Sequence, residues 1–163
     1  MTDQDATQQL WQVLVTGIEA EAPIHVDRLT RLAAGSFGLT RLTADRRAAV
    51  AACLPSGLPA DPDGDPFVWP PGVDPLDWRG FRRSNDGARP VDQISITELA
   101  NAAVALCRTA AGMTDDQLRL SVLRVFGFAR RTQERDARVD RAVTAATRRG
   151  RLTRAADGIW QAV

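Results

Sequence analysis

The chain has 163 residues, 44% of them hydrophobic and 25% charged, with 21 arginines, no lysine, 20 acidic residues, one histidine and a formal net charge of +1. A chain of this size makes one ordinary globular domain or two small ones. Two cysteines, Cys53 and Cys107, imply no disulfide framework, and no apolar run approaches the ~18 residues of a membrane span; with a polar, acidic amino terminus, the expectation is a cytoplasmic protein with no membrane contact.

Leu10, Trp11, Leu14, Val15 and Ile18 recur at helical spacing and predict a first amphipathic helix, apolar face inward, ending before Pro23. Ile24-His25-Val26 reads as a short extended piece, and Asp27 as the cap of a second helix that carries Leu29 and Leu32. His25 has no Cys or His at metal spacing and no serine motif beside it, so it reads as a structural side chain. A third helix, Thr43 to Leu54, packs through Val50, Cys53 and Leu54 and turns Ala48, Ala49 and Ala52 outward. These small neutral residues suit close packing against a protein, either a partner or a second copy in a homodimer, better than a phosphate backbone. Asp61, Asp63 and Asp65 have the spacing of a calcium loop, but Gly64 stands fourth, Gly72 occupies the twelfth position where a bidentate Glu is needed, and two prolines interrupt. The stretch reads as the wing loop of a first unit, and neither metal nor cofactor is expected.

Residues 70–93 follow neither regular period and are rich in Pro and Gly, which marks a connector, bounded here as 73–93 between units 1–72 and 94–163. Within it Trp78 and Phe81 read as anchors onto a unit. Together with Arg79, Arg82 and Arg83 they also form a candidate secondary patch that could stack on nucleic acid. Ile94 and Ile96 lead into a helix capped by Thr97 that carries Leu99, Ala103, Leu106 and Cys107 and stops at Gly112; Thr114 or Asp115 caps the next, Leu118 to Val125.

The final stretch, 126–163, organises the rest. Thr132 caps a helix that Gly150 ends, with Arg148 and Arg149 at its negative pole. Val139, Val143 and Ala146 share its inner face, and Arg130, Arg141 and Arg148 point outward. Two strand-like runs, Arg151 to Arg154 and Ile159 to Ala162, flank Asp157-Gly158, a strong hairpin signal. A basic helix followed by a basic hairpin is what a winged helix presents to a nucleic-acid backbone.

An earlier part of the chain repeats this pattern. Residues 37–50 lie over 126–139 without a gap, with identity at Phe37, Gly38, Arg41, Thr43, Arg46, Ala48 and Val50. Upstream, Pro23-Ile24 falls on Gly112-Met113, and downstream Val68 and Trp69 fall near Ile159 and Trp160. The economical explanation is an internal duplication. The predicted fold class is therefore mainly α with small β-wings (α+β), a tandem winged helix-turn-helix. Charge divides the two copies: residues 1–72 hold five arginines against nine acids, residues 99–163 twelve against six. A cationic surface gathers phosphate polymers and an acidic one repels them, so the second copy is the candidate DNA-binding one.

The succession A-E-A-P-I-H-V-D-R-L, F-G-L-T-R, F-V-W-P-P-G, I-T-E-L-A, L-R-L-S-V-L-R-V-F-G-F-A-R-R-T and R-R-G-R-L resembles, over almost the whole chain, a bacterial domain of unknown function found near the C-terminal end of large superfamily-1 helicase-like proteins. That resemblance implies a DNA-directed accessory role beside a helicase or nuclease, in a partner or a parent chain. The chain itself has no G-x-x-x-x-G-K-[ST] loop, no nuclease motif, no Tyr and no paired carboxylates, so no catalytic residue is expected. The expected function is non-catalytic binding of double-stranded DNA through Arg130, Arg131, Arg138, Arg141, Arg148, Arg149, Arg151 and Arg154, mostly to phosphates, with Gln133 and Arg138 as candidates for base readout. The alternative is a protein-interaction or dimerisation module with no direct nucleic-acid contact.

Overall fold

The computed structural model describes residues 3–163, and side chains from residue 5 onward; Met1 and Thr2 of the acidic amino terminus discussed above lie outside the described residues. The chain is mainly helical, with six α-helices and two small antiparallel sheets of two strands each among the described residues. It divides into two units, Met1–Asp77 and Trp78–Val163. The boundary falls inside the stretch assigned to the connector, because everything from Trp78 onward packs on the second unit.

In the first unit, α1 (Asp3–Glu21) and α2 (Val26–Ser36) bury Leu14, Ile18, Leu29 and Ala33 against Ile24 and Val68. Trp11, assigned to the inward face of the first helix from spacing, is instead 46% exposed, and Leu32 of the second helix is 43% exposed. The cap of α2 is His25 and not Asp27: its Nδ1 accepts from the Asp27 N–H at 3.1 Å, while its ring stands edge-on to Phe67 at 5.2 Å. Both ring contacts are structural. The third helix, α3 (Ala44–Ala51), is capped by Thr43, has no fully buried residue, and leaves Ala48, Ala49 and Ala52 exposed.

Strand β1 (Ile24–His25) pairs with β2 (Phe67–Val68), matching Ile24 to Val68. No hairpin forms in the first unit among the described residues, which corrects the expectation of two β-wings. The reason lies in the Asp61 loop. Pro62 and Pro66 have no N–H to offer a ladder. Asp61 Oδ1 instead accepts from the N–H groups of Asp63 and Asp65 at 3.0 and 3.4 Å, and its Oδ2 accepts from Trp69 Nε1 at 2.9 Å. Burial raises the Asp61 carboxyl above its ordinary value, and these bonds partly offset that. Trp69 itself is fully buried, so this loop is organised around an indole N–H.

The second unit contains α4 (Ile96–Thr109), α5 (Asp115–Val125), α6 (Gln133–Arg148) and the hairpin of β3 (Leu152–Arg154) and β4 (Trp160–Ala162). Leu99, Ala103, Leu118, Val122, Phe126, Val139, Ala146 and Leu152 form one core. The cap of α4 is Ser95, two residues earlier than Thr97, accepting from the Glu98 N–H at 3.1 Å. Thr114 closes a reciprocal capping box with Gln117 on α5, and Thr132 caps α6. Gly150, at φ 65°, follows α6 where the left-handed conformation is needed.

The turn α5–α6 begins with the same backbone conformation as the turn α2–α3. Phe37 and Phe126 close their helices at φ −99°, with ψ 13° and 14°. Gly38 and Gly127 follow at φ 76° and 82°. Leu39 N–H returns to the Ala34 carbonyl as Phe128 N–H does to that of Leu123. Met113 bridges Trp160 in the second unit, one residue off in register from the pairing of Ile24 with Val68 in the first.

The segment Trp78–Pro90 is held to α4 by polar contacts. Glu98 is fully buried, and its carboxylate accepts from Arg82 Nη2 and Arg89 Nη1, both at 3.1 Å, and from the Arg82 N–H at 3.1 Å. One turn on, Asn101 Nδ2 donates to the carbonyls of Trp78 and Gly80 at 3.1 and 2.8 Å. Phe81 lies 6.4 Å from Phe126. Removing a carboxylate that neutralises two guanidiniums at a buried position leaves those charges uncompensated. Glu98→Ala is expected to lower unfolding free energy by about 3–5 kcal/mol, read by urea denaturation of the full chain; a change below about 1 kcal/mol would show the pair to be no more than a surface contact.

Candidate nucleic-acid interface

Helix α6 buries Val139, Ala142, Val143, Ala145 and Ala146, which fixes what its opposite side presents. At about 100° per residue, that side carries Gln133, Ala137, Arg141, Thr144 and Arg148, and all five are exposed. Thr144 has no signal in the sequence reading above, although the same angular count from Val139 finds it. Small side chains between two arginines and a glutamine let a helix approach a groove closely. Arg130, just before the cap, is exposed and its side chain makes no hydrogen bond or ion pair among the described residues.

Arg131, Arg138, Arg149, Arg151 and Arg154 each make a specific bond within the second unit. Arg131 donates to both Asp136 oxygens and to Asp116 Oδ1, at 2.8 to 3.0 Å. Arg138 turns away from the exposed face and donates to the carbonyls of Ile94 and Asp92 at 2.8 and 3.4 Å, so it fastens α6 to the lead-in of α4 and is not positioned for base readout. Arg149 donates to Thr97 Oγ1 at 3.3 Å, and Arg151 to Asn101 Oδ1. Arg154 pairs with Asp115, donates to the Gly158 carbonyl at 3.2 Å and lies over the Trp160 ring at 5.5 Å. Trp160 Nε1 reaches the same Asp115 at 2.7 Å, so the hairpin is tied to the first turn of α5.

Two residues outside the predicted set help to shape this surface. Arg135 stacks on Phe128 at 4.5 Å and donates to the Arg130 carbonyl at 2.8 Å, stiffening the approach to α6. Arg119 pairs with Asp140 at 2.7 Å across the α5–α6 junction. The cleft there, about 270 Å³, is lined by Arg119, Asp140, Thr144, Asp115, Arg154 and Trp160. Flanking carboxylates Asp136 and Asp140 are thereby answered by arginines from the fold. No periodicity identifies such cross-helix pairs, because the partners are 5 to 21 residues apart and meet only when the helices pack.

The candidate secondary patch separates into different roles. Phe81 packs on Phe126 and Arg82 on Glu98, while Arg79 and Arg83 are exposed. Arg79 is brought near the end of α6: burial, then Arg79, Arg149 and Arg108, lower Arg151 below the ordinary guanidinium value. Arg79, Arg108, Arg149 and Arg151 are therefore one cationic neighbourhood, assembled from the connector, α4 and the α6–β3 turn. Arg108 lies in the last turn of α4, where its charge suits the helix dipole, and it gives no signal in the sequence beyond that.

In the first unit Ala48, Ala49 and Ala52 lie exposed on or just after α3. A cleft of about 180 Å³ is lined there by Trp11, Val15, Ile18, Pro55, Leu58 and Pro71. Cys53 and Cys107 are both free, and burial pushes the Cys107 thiol up to about 11. No group of three His, Cys, Asp or Glu side chains that could hold a metal ion occurs among the described residues, and no described helix is long and apolar enough to cross a membrane.

No protein-family model, no curated protein and no solved structure matches this chain.

The Asp116 carboxyl lies below its ordinary value through its hydrogen bond from Arg131 and then that charge. Because the folded value is depressed, this pair contributes fully above about pH 4 and is lost as pH falls through the lowered Asp116 value. Carbon-detected NMR titration should show Asp116 titrating below the usual aspartate range in the native chain and returning toward it in Arg131→Gln. An identical titration in both proteins would contradict the pairing.

Proposed function

We propose that this chain is a tandem winged-helix protein arising from internal duplication, whose second unit binds double-stranded DNA without catalysing a reaction on it. The duplication is supported by the matching Phe-Gly turns and by the Thr43 and Thr132 caps that accept from Arg46 and Arg135 N–H groups; the antiparallel pairings Ile24–Val68 and Met113–Trp160 match to within one residue of register. The β3–β4 hairpin after α6 supplies the wing, and the first unit has lost its own to the Asp61 loop.

The observation that carries the DNA reading is the exposed face of α6, with Gln133, Ala137, Arg141, Thr144 and Arg148 in one row. Arginines at the middle and end of a helix, flanked by small residues, fit phosphates on either side of a major groove, and Gln133 in the first turn is where base edges are met. Arg130 extends the row before the helix start. Arg131, Arg138 and Arg154 position the helix and the wing in this reading, and do so through their intramolecular bonds. Any motor or nuclease activity belongs to a partner or parent chain, as the sequence resemblance implies.

Fluorescence anisotropy with a short random duplex tests this. Affinity near micromolar at low salt, falling linearly on log-log axes with salt, is expected. Arg141→Glu with Arg148→Glu should weaken binding at every sequence and reduce the salt slope by about 2. Unchanged affinity in a folded double variant excludes the α6 face.

A second reading concerns the first unit. Its exposed apolar residues Trp11, Leu32, Phe37, Leu39 and Leu76, and the alanines of α3, favour a protein contact, either a partner or a homodimer. Light scattering on size-exclusion fractions distinguishes these. If the α3 face makes a dimer, Ala48→Arg with Ala52→Arg should halve the measured mass; a native chain already monomeric at about 100 μM leaves only the hetero-contact.

A further inference from the structure

The concavity between the 83–85 loop and the end of α5 has a volume of about 290 Å³ and is lined by Arg83, Asn85, Ser121, Arg124 and Val125. The loop is clamped there from two sides. Ser84 N–H donates to the Val125 carbonyl at 3.1 Å, and Gly127 passes so close to Gly87 that a Cβ on it would meet the Gly87 nitrogen at 2.3 Å. Arg83 and Arg124, 41 positions apart, thus share one small space. None of the side chains of Arg83, Asn85, Ser121 and Arg124 makes a hydrogen bond or ion pair among the described residues, and no carboxylate lines the site.

Almost every other arginine near this turn has a protein acceptor: Arg82 and Arg89 on Glu98, Arg131 on Asp116 and Asp136, Arg135 on the Arg130 carbonyl. The nearest acid in the loop, Asp86, is engaged by the Ser84 hydroxyl at 2.6 Å and the Ala88 N–H at 3.0 Å. Arg124 alone is explained by the negative end of α5. That account leaves Arg83, which the clamped loop brings to the same concavity against charge repulsion.

We propose that this concavity is a binding site for a phosphoryl group. Two guanidiniums present paired N–H donors that match phosphoryl oxygens, and the Asn85 amide and Ser121 hydroxyl add neutral donors at the rim. The site is distinct from the α6 face. Ser121 and Arg124 lie about 160° and 140° around α5 from Arg119, which pairs with Asp140 of α6, by the helical angle of about 100° per residue.

The test uses pyrophosphate and the ¹⁵N-labelled full chain, following arginine Nε–H signals by NMR. Saturable shifts of two signals are expected, identified by their loss in Arg83→Gln and Arg124→Gln. Each substitution should weaken binding about tenfold, and the double variant should lose it while retaining the native circular dichroism spectrum. No saturable shift of these signals up to about 10 mM, or binding that survives the double variant, overturns the proposal. A second titration, with short duplex DNA, identifies the source of the phosphoryl group. Shifts of the same two signals, competed by pyrophosphate, assign it to a nucleic-acid backbone; pyrophosphate binding without such shifts assigns it to a phosphorylated small molecule. Arg141 and Arg148 are untouched throughout, so failure here is separable from failure of the α6 reading.

Discussion

The second unit depends on one buried carboxylate. Glu98, in the first turn of α4, is fully removed from water and draws Arg82 and Arg89 onto itself. An unpaired charge at that depth is untenable, so the segment carrying the two arginines has to close over α4. Arg89 also donates to the Arg82 carbonyl at 2.7 Å, which makes the triad a closed loop of bonds and not two separate pairs. Asn101 extends it, donating to the carbonyls of Trp78 and Gly80 while accepting from Arg151.

This constraint decides what a Pro- and Gly-rich stretch becomes. Without it, residues 78–90 have neither helical nor strand periodicity to hold them. With it, they form a fixed cover whose inner side is Phe81, Arg82 and Arg89, and whose outer side is Arg79 and Arg83. The outer pair is thereby assigned to two separate places. Arg79 joins the neighbourhood of Arg108, Arg149 and Arg151, and Arg83 meets Arg124.

Sorting of arginines is the general consequence. The second unit has twelve arginines in residues 99–163 against six acids, and the fold uses those acids selectively. Asp115, Asp116, Asp136 and Asp140 each accept from an arginine on another element or across a turn. Those pairs fasten the hairpin to α5 and α5 to α6 and its lead-in, and they leave the carboxylates bordering α6 compensated within the fold. In the first unit Glu21 and Asp27 also pair with arginines of neighbouring helices, Arg28 and Arg47, while Asp61 organises a loop around a buried indole and Trp11, Leu32, Phe37, Leu39 and Leu76 stay exposed. The two units share a Phe-Gly turn followed by a Thr-capped helix, yet differ in the charge and side-chain size of their exposed faces.

Much of the helical framework follows from local chemistry that the sequence carries by itself. Thr43, Thr114 and Thr132 cap because a threonine hydroxyl before an amphipathic run satisfies N–H groups the helix cannot, and Gly127 and Gly150 stop because only glycine adopts the left-handed turn without strain. The Asp157-Gly158 hairpin and the repeated Phe-Gly turn are local in the same sense. Sequence reasoning failed where another cap stood close by or a side chain further along intervened: His25 and Ser95 cap two residues ahead of Asp27 and Thr97, and Trp69 and two prolines replace the first wing with the Asp61 loop. Arg138 has the periodicity of a helix flank, yet only the packing of α6 beside Ile94 shows that its guanidinium faces carbonyls. The sequence determined which stretches are helical, the Thr43, Thr114 and Thr132 caps, and how charge is divided along the chain. Tertiary structure alone decided which arginines hold the fold and which face outward, because an ion pair depends on distance in space, and residues such as Arg83 and Arg124 acquire that distance only after the chain has closed around Glu98.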